Sequence, residues 1–311
     1  MKKDSDLCFL SHDDCLQHEM GDTHPERPSR LEVLKNAISE SPDLSSWRFF
    51  QGRLATRTEI MQAHDEHYVD SVFKKNPNKG YISLDPDTSM NRFSLLAAQR
   101  SVGSVLEGID LIMKQNFRRA FCAVRPPGHH AEYNKAMGFC IFNNVAVGAR
   151  YLLERYDIER IAVLDFDVHH GNGTEDILKD DARILFCSSF QHPFYPFSEV
   201  LTDHPRIIHT PLPANSDGKL MRKAISRSWL PALKRFKPEF LFFSAGFDAH
   251  RKDAMASLQW NSDDYLWLTQ AVIHSVSGVG RDRILSTLEG GYELDSLASS
   301  AVAHLKGLMS S

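Results

Sequence analysis

The stretch RIAVLDFDVHHGNG, residues 160–173, decides the fold class. Its first seven residues are a short apolar run, and a run of that length bounded by polar residues reads as a strand buried on both faces. Residues 167–173 then interrupt it with acids, imidazoles and glycines, as a loop at the carboxyl end of a strand would. Four other runs share this form: 119–125 (RAFCAVR), 183–188 (RILFCS), 239–244 (EFLFFS) and 283–288 (RILSTL). Helical patterns are expected between and beyond them, near 143–155, 173–180, 218–236, 262–277 and 293–307. Strand, helix, strand in succession implies α/β: a central, mostly parallel sheet with helices on both faces. The N-terminal third reads as mainly helical, with Leu31, Leu34 and Ile38 following Pro28-Ser29-Arg30 and a longer helical pattern over 92–114. No repeat or Gly/Ser/Pro-rich linker divides the sequence, so one domain over 1–311 is expected.

Every candidate strand is followed by polar punctuation. Pro126-Pro127-Gly128-His129-His130 follows the first, Asp165 to His170 the second and Ser188 the third. Gly246-Phe247-Asp248 and Glu289-Gly290-Gly291-Tyr292 follow the last two. Ligands of open parallel sheets bind beyond the carboxyl ends of the strands, so these five loops should line one site.

Composition narrows the function classes. Of 311 residues, 36 are basic and 40 acidic, for a net charge of −4, and there is no run of five like charges. Direct nucleic-acid binding is therefore not expected. Residues 1–14 hold only a four-residue apolar stretch, Leu7 to Leu10, and no run approaches the roughly 18 residues of a membrane span. A cytoplasmic protein with no membrane contact is expected. The five cysteines, Cys8, Cys15, Cys122, Cys140 and Cys187, are odd in number and unpatterned, as small core residues of a reducing compartment would be. The 15 histidines are the oddity, and several are clustered.

In an extended segment, residues two apart share a face, so Asp167 and His169 should point the same way. A carboxylate and an imidazole begin a zinc site, and Asp248 is a ready third ligand, leaving a position open for water. Any one of these acids alone would more often hydrogen-bond a turn. His129 and His130 follow stiff Pro-Pro backbone, where imidazoles near a metal-activated water suit acid/base work. Tyr292, after a glycine pair, can swing its phenol toward a substrate carbonyl and stabilise an oxyanion.

Five motifs together carry a family resemblance: 125–131 (RPPGHHA), 138–144 (GFCIFNN), 165–174 (DFDVHHGNGT), 244–250 (SAGFDAH) and 288–292 (LEGGY). In order and spacing they closely resemble the histone deacetylase family, in its class II-like and bacterial branch. His24-Pro25-Glu26-Arg27-Pro28 and His64 to Tyr68 also fit, so the likeness runs from about residue 10 to residue 306. It implies an arginase/deacetylase-type α/β fold and one catalytic zinc ion on Asp167, His169 and Asp248. It also implies a structural potassium ion on the Asp165 side chain, the Asp167 and His169 carbonyls and Ser188. His130 becomes the general base and then acid, His129 its electrostatic partner oriented by Asp165, and Tyr292 the group that polarises the carbonyl. Gly138, Phe139 and Tyr195 become walls of an acyl-lysine tunnel, Asp85 or Asp87 the rim aspartate that holds the substrate backbone, and Met255 a neutral residue at the mouth. Asn172 stands where many relatives pair an aspartate with the second histidine, which should lower the proton affinity of His130. Phe190 stands where relatives often have histidine, and Phe197-Ser198 replaces a usual glycine-rich turn.

The resulting expectation is zinc-dependent removal of acetyl groups from acetyl-lysine side chains of proteins or peptides. Deacetylation of acetylpolyamines or other small amides is the alternative within hydrolases. A catalytically silent binding module is less expected because every reacting group is present. An arginase-like hydrolase would need two bridged metals and more carboxylates than this cluster offers.

Overall fold

The computed structural model describes residues 6–115, 117–276 and 278–310. Its strands in chain order are β1 Leu7–Ser11, β2 Arg48–Gln51, β3 Ile82–Ser83, β4 Ser89–Met90, β5 Arg119–Cys122, β6 Ile161–Asp165, β7 Ile184–Gln191, β8 Ile207–Leu212, β9 Phe240–Ala245 and β10 Ile284–Leu288. The α-helices are α1 Ser29–Glu40, α2 Arg57–Ile60, α3 Glu66–Lys74, α4 Ser94–Lys114, α5 Asn144–Arg155, α6 Asn172–Leu178, α7 Gly218–Arg227, α8 Trp229–Phe236, α9 Ser262–Ser275 and α10 Leu294–Leu308.

Eight strands form one sheet in the order β2-β1-β5-β10-β9-β6-β7-β8, with every pairing parallel, and β3-β4 is a separate antiparallel hairpin. The chain runs outward through β6, β7 and β8, then returns so that β9 and β10 fill the gap to β5. Strand alternation separates two helical layers. Leu285 of β10 packs toward Gly108 of α4, whereas its neighbour Ser286 turns to the other face and bonds His304 of α10. The central strands β5, β6, β9 and β10 are buried at every residue, which is why they read as continuous apolar runs.

All five expected strands are present, and three more join them. The N-terminal third is not simply helical: it supplies β1 and β2, and β8 lies at the far edge of the sheet. The edge strands lack the apolar signature because they are not doubly buried. β2 is largely exposed, and β8 carries Pro211, which an edge strand tolerates. The expected helix over 218–236 is two helices meeting at Ser228. Pro231 lacks the N–H that would bond the Arg227 carbonyl, and its ring would clash there. The helix expected to reach 277 ends at Ser275, and Ser277 lies outside the described residues. The same is true of residues 1–5 of the N-terminal segment. Among the described residues no helix is long and apolar enough to cross a membrane. The five cysteines are free and buried, as expected of core residues.

Candidate active site

The five loops expected to converge do so beyond the carboxyl ends of β5, β6, β7, β9 and β10. The leading group is Asp167, His169 and Asp248, all buried, whose ligand atoms lie within 4.8 Å of one another. His169 Nδ1 is 3.1 Å from Asp167 Oδ1 and 3.3 Å from Asp248 Oδ2. Two zinc bonds of about 2.0–2.1 Å at a tetrahedral angle put their ligand atoms about 3.3–3.5 Å apart, so the spacing fits one ion on three ligands. Asp248 Oδ2 is buried beside His169 Nδ1 but accepts no well-formed hydrogen bond, so a lone pair is left for a metal ion. Burial, with the Asp167 charge, pushes the Asp248 carboxyl up to about 6, so the cluster favours a positive charge beside it. The remaining oxygens are fixed by backbone: Asp248 Oδ1 accepts from Val168 N at 2.9 Å, and Asp167 Oδ2 from Gly290 N at 2.8 Å. These bonds tie the β6, β9 and β10 loops together around the cluster.

The tandem histidines differ in protonation because their partners differ. His129 Nδ1 donates to Asp165 Oδ2 at 3.0 Å, and its Nε2 lies 3.8 Å from Asp167 Oδ2. Burial pulls its proton affinity down, but the Asp167 and Asp165 carboxylates outweigh this and raise it to about 10. His130 Nδ1 meets Asn172 Oδ1 at 2.7 Å, and burial together with the charges of His129 and His169 drives its proton affinity well below the ordinary histidine value. Asn172 Nδ2 in turn donates to Glu132 Oε1 at 2.7 Å, which orients its oxygen toward His130. Asn172 thus fixes Nδ1–H as the tautomer of a neutral His130 and leaves Nε2 as a free base. The lowering comes from burial and the neighbouring imidazoles, and the hydrogen bond to Asn172 opposes it.

Above the cluster is a cavity of about 210 Å³ walled by Phe139, Phe194, Tyr195 and Met255, with His130, His169 and Tyr292 at its base and Asp87 on its side. Phe194 stacks on His169 at 5.5 Å, and Tyr195 meets the His130 ring edge-on at 5.2 Å. Gly138, at φ +56°, lies so close to the His130 ring that any side chain would strike it. Tyr292 follows Gly291, whose φ of +118° suits only glycine. Its backbone N–H donates to Asp253 at 2.6 Å, and Arg30 lies 4.8 Å over its ring. Burial raises the Tyr292 phenol well above its ordinary range, so it stays a hydroxyl donor.

Of the two rim aspartates left open by the sequence, Asp87 is the one on the cavity. It accepts from Gly138 N at 3.0 Å, while Asp85 lies behind it and accepts from Asp87 N at 2.9 Å. Ser188 and Asp165 are register partners on β7 and β6; Asp165 is fully buried and Ser188 Oγ bonds His170 Nδ1 at 3.0 Å.

Three contributors were assigned no role from the sequence. Phe194 is one aromatic among several in its loop. Asp253 acts through backbone contacts to Tyr292 and Glu293. Glu289 accepts from Gly128 and His129 N–H at 2.6 and 3.1 Å, so its buried carboxylate ties the β10 loop to the tandem-histidine loop.

A second His–Glu–His group, His170, Glu175 and His209, has ligand-like atoms close together, but its protons are already allocated. Leu201 N donates to His209 Nδ1 at 2.9 Å, so His209 Nε2 carries the proton that it gives to Glu175 Oε2 at 2.5 Å, and His170 Nε2 reaches the same oxygen at 3.1 Å. The group is a strut between the 192–206 loop and α6.

Comparison with known proteins bears on the family and the fold. The histone deacetylase domain family matches residues 24–308. An uncharacterized protein of Synechocystis is 38% identical over 94% of this chain and 96% of its own length. A probable deacetylase of Archaeoglobus fulgidus is 31% identical over 92% of this chain and 81% of its own. The crystal structure of the HDA15 HD domain superposes with a TM-score of 0.90 at 29% identity, covering 97% of this chain and 87% of that one.

Proposed function

The chain belongs to the histone deacetylase family, and we propose that it is a zinc-dependent amidohydrolase removing acetyl groups from acetyl-lysine side chains of proteins or peptides. The observation that carries this reading is the buried Asp167–His169–Asp248 cluster, with Asp248 Oδ2 accepting no well-formed hydrogen bond, at the foot of an aromatic cavity that also exposes a neutral His130 and a protonated Tyr292. A zinc ion on Asp167, His169 and Asp248 would supply Lewis-acid polarisation of the acetyl carbonyl and acidify a water.

The chain's own residues supply the rest. Phe139, Phe194 and Tyr195 take the lysine stem, whose four methylenes gain by leaving water, while the acetyl group removes its charge. His130 Nε2 accepts the proton of the attacking water, and Asn172 holds the imidazole in the tautomer that allows it. His129, charged between Asp165 and Asp167, offsets negative charge at the reacting centre. Tyr292 donates to the developing oxyanion. His130 then returns its proton to the departing lysine amine, leaving acetate. The potassium ion implied by the resemblance would be held by Asp165 and Ser188; its charge would compensate an Asp165 carboxyl that burial otherwise pushes up.

Met255 favours peptide over polyamine. It is neutral, lines the cavity and stands beside exposed Arg251 and Lys252, so Met255 itself offers a second ammonium on the substrate no charge partner. The test is turnover of a fluorogenic acetyl-lysine peptide alongside metal content. A chelator should abolish activity and zinc restore it, with one equivalent bound; full turnover by a demonstrably metal-free sample would refute the reading.

A further inference from the structure

Phe197 is the most exposed large hydrophobic side chain among the described residues, at 78%, and its backbone lies in the left-handed region at φ +63°. A bulky aromatic pays twice there, in backbone strain and in apolar surface left in water, and nothing in the fold gains from either. Its place is the tunnel lip. Phe194 and Tyr195 of the same turn line the cavity, and the Phe197 ring lies 6.5 Å from that of Tyr195.

The lip is held in place. Phe197 N donates to Phe194 O at 2.9 Å, His192 N to Leu212 O at 2.8 Å, and Leu201 N to His209, which Glu175 anchors to α6. An apolar ring held rigidly outward beside a binding site is preorganised for a partner.

We propose that Phe197 is a specificity-determining residue that receives an apolar or aromatic side chain two positions from the acyl-lysine of a peptide substrate. The inference rests on the acyl-lysine reading given above. An extended peptide rises about 3.3 Å per residue and repeats its face every second residue, so the side chain two positions from the one in the tunnel emerges on the same face about 6.6 Å away. The Phe197 ring, 6.5 Å from the tunnel-wall ring of Tyr195, is within reach of such a side chain. An aliphatic or aromatic side chain there would bury the exposed ring.

The test compares the wild type with Phe197→Gly, a substitution that relieves the backbone and is expected not to lower Tm. Substrates are an acetyl-lysine peptide with Phe two positions to either side, the same peptide with Ser there, and a capped single acetyl-lysine. The wild type should prefer the Phe peptide by about tenfold in kcat/KM, mainly through KM. Phe197→Gly should bring that preference to within about twofold and leave the capped acetyl-lysine unchanged. A wild type indifferent to the flanking residue, a variant that keeps the preference, or an equal loss on all three substrates would overturn the lip assignment and leave the deacetylase reading standing. Turnover of N8-acetylspermidine with no turnover of any acetyl-lysine compound would overturn both.

Discussion

His304 makes the acid sensitivity of the fold measurable at one residue. It lies fully buried on α10 among Phe121, Phe166, Phe243 and Phe247, remote in chain from the metal-ligand loops. Thr269 Oγ1 gives its proton to the Tyr265 carbonyl and so accepts from His304 Nδ1–H at 2.6 Å, while His304 Nε2 accepts from Ser286 Oγ at 2.9 Å. Both ring nitrogens are satisfied only when the imidazole is neutral, and burial pushes its proton affinity down to about 3. The unfolded chain binds that proton near pH 6.5 and the folded chain does not. The stability this neutral group contributes is therefore complete above about pH 6.5 and lost as the pH falls toward 3. One such group costs about 2 kcal/mol between about pH 7 and pH 5, and about 5 kcal/mol over the whole interval. His18, lowered to about 3, and His64, lowered to about 4, are buried in the same way and add to the acid sensitivity, whereas His129, raised to about 10, acts in the opposite direction. His304→Gln keeps a donor and an acceptor but cannot take up the proton. Urea unfolding at pH 7, 6 and 5 should show the variant less stable at pH 7, with the gap closing by about 2 kcal/mol at pH 5. Parallel curves for the two proteins would refute the argument.

The site gives three sharper tests. Tyr292→Phe removes one oxyanion donor without emptying the cavity, so kcat should fall by about 10²-fold or more at unchanged zinc content; activity within about threefold of wild type would remove Tyr292 from the mechanism. His130→Ala should cost at least as much, because it removes the only neutral imidazole with a free nitrogen on the cavity, and retained activity would move the base role to His129. Met255→Glu should narrow the preference for an acetyl-lysine peptide over N8-acetylspermidine, measured as the ratio of kcat/KM values, and an unchanged ratio would show that the mouth residue does not read substrate charge.

What the sequence made legible follows from how each residue acts. The five strands buried at every residue, β5, β6, β7, β9 and β10, announce themselves as apolar runs, and the loops after them carry their chemistry in the side chains. Asp167, His169 and Asp248 were readable for that reason, as were the tandem histidines, although the roles of all five rest on the proposed reaction. β2 and β8 escaped notice because an edge strand needs only one buried face or less, and β1, although Leu7 to Leu10 form an apolar stretch, because no chemistry-bearing loop directly follows it to mark it as a strand of the site. The tunnel is harder to read, because its walls come from separate loops that meet only when folded. Phe139, Phe194 and Tyr195 are ordinary aromatics in sequence. Asp85 and Asp87 differ by two positions in one hairpin, and they are distinguished only in the fold, where Asp87 lines the cavity and accepts from Gly138 N. Asp253 and Glu289 work by accepting backbone N–H groups, which leave no trace in residue type beyond an acid near a glycine or an aromatic. Phe197 was visible as a departure from a glycine-rich turn, but its meaning depends on the positive φ and the exposure that the fold imposes. Residues that react are therefore legible by kind, whereas residues that place them or select the substrate become legible only once the partner across the fold is known.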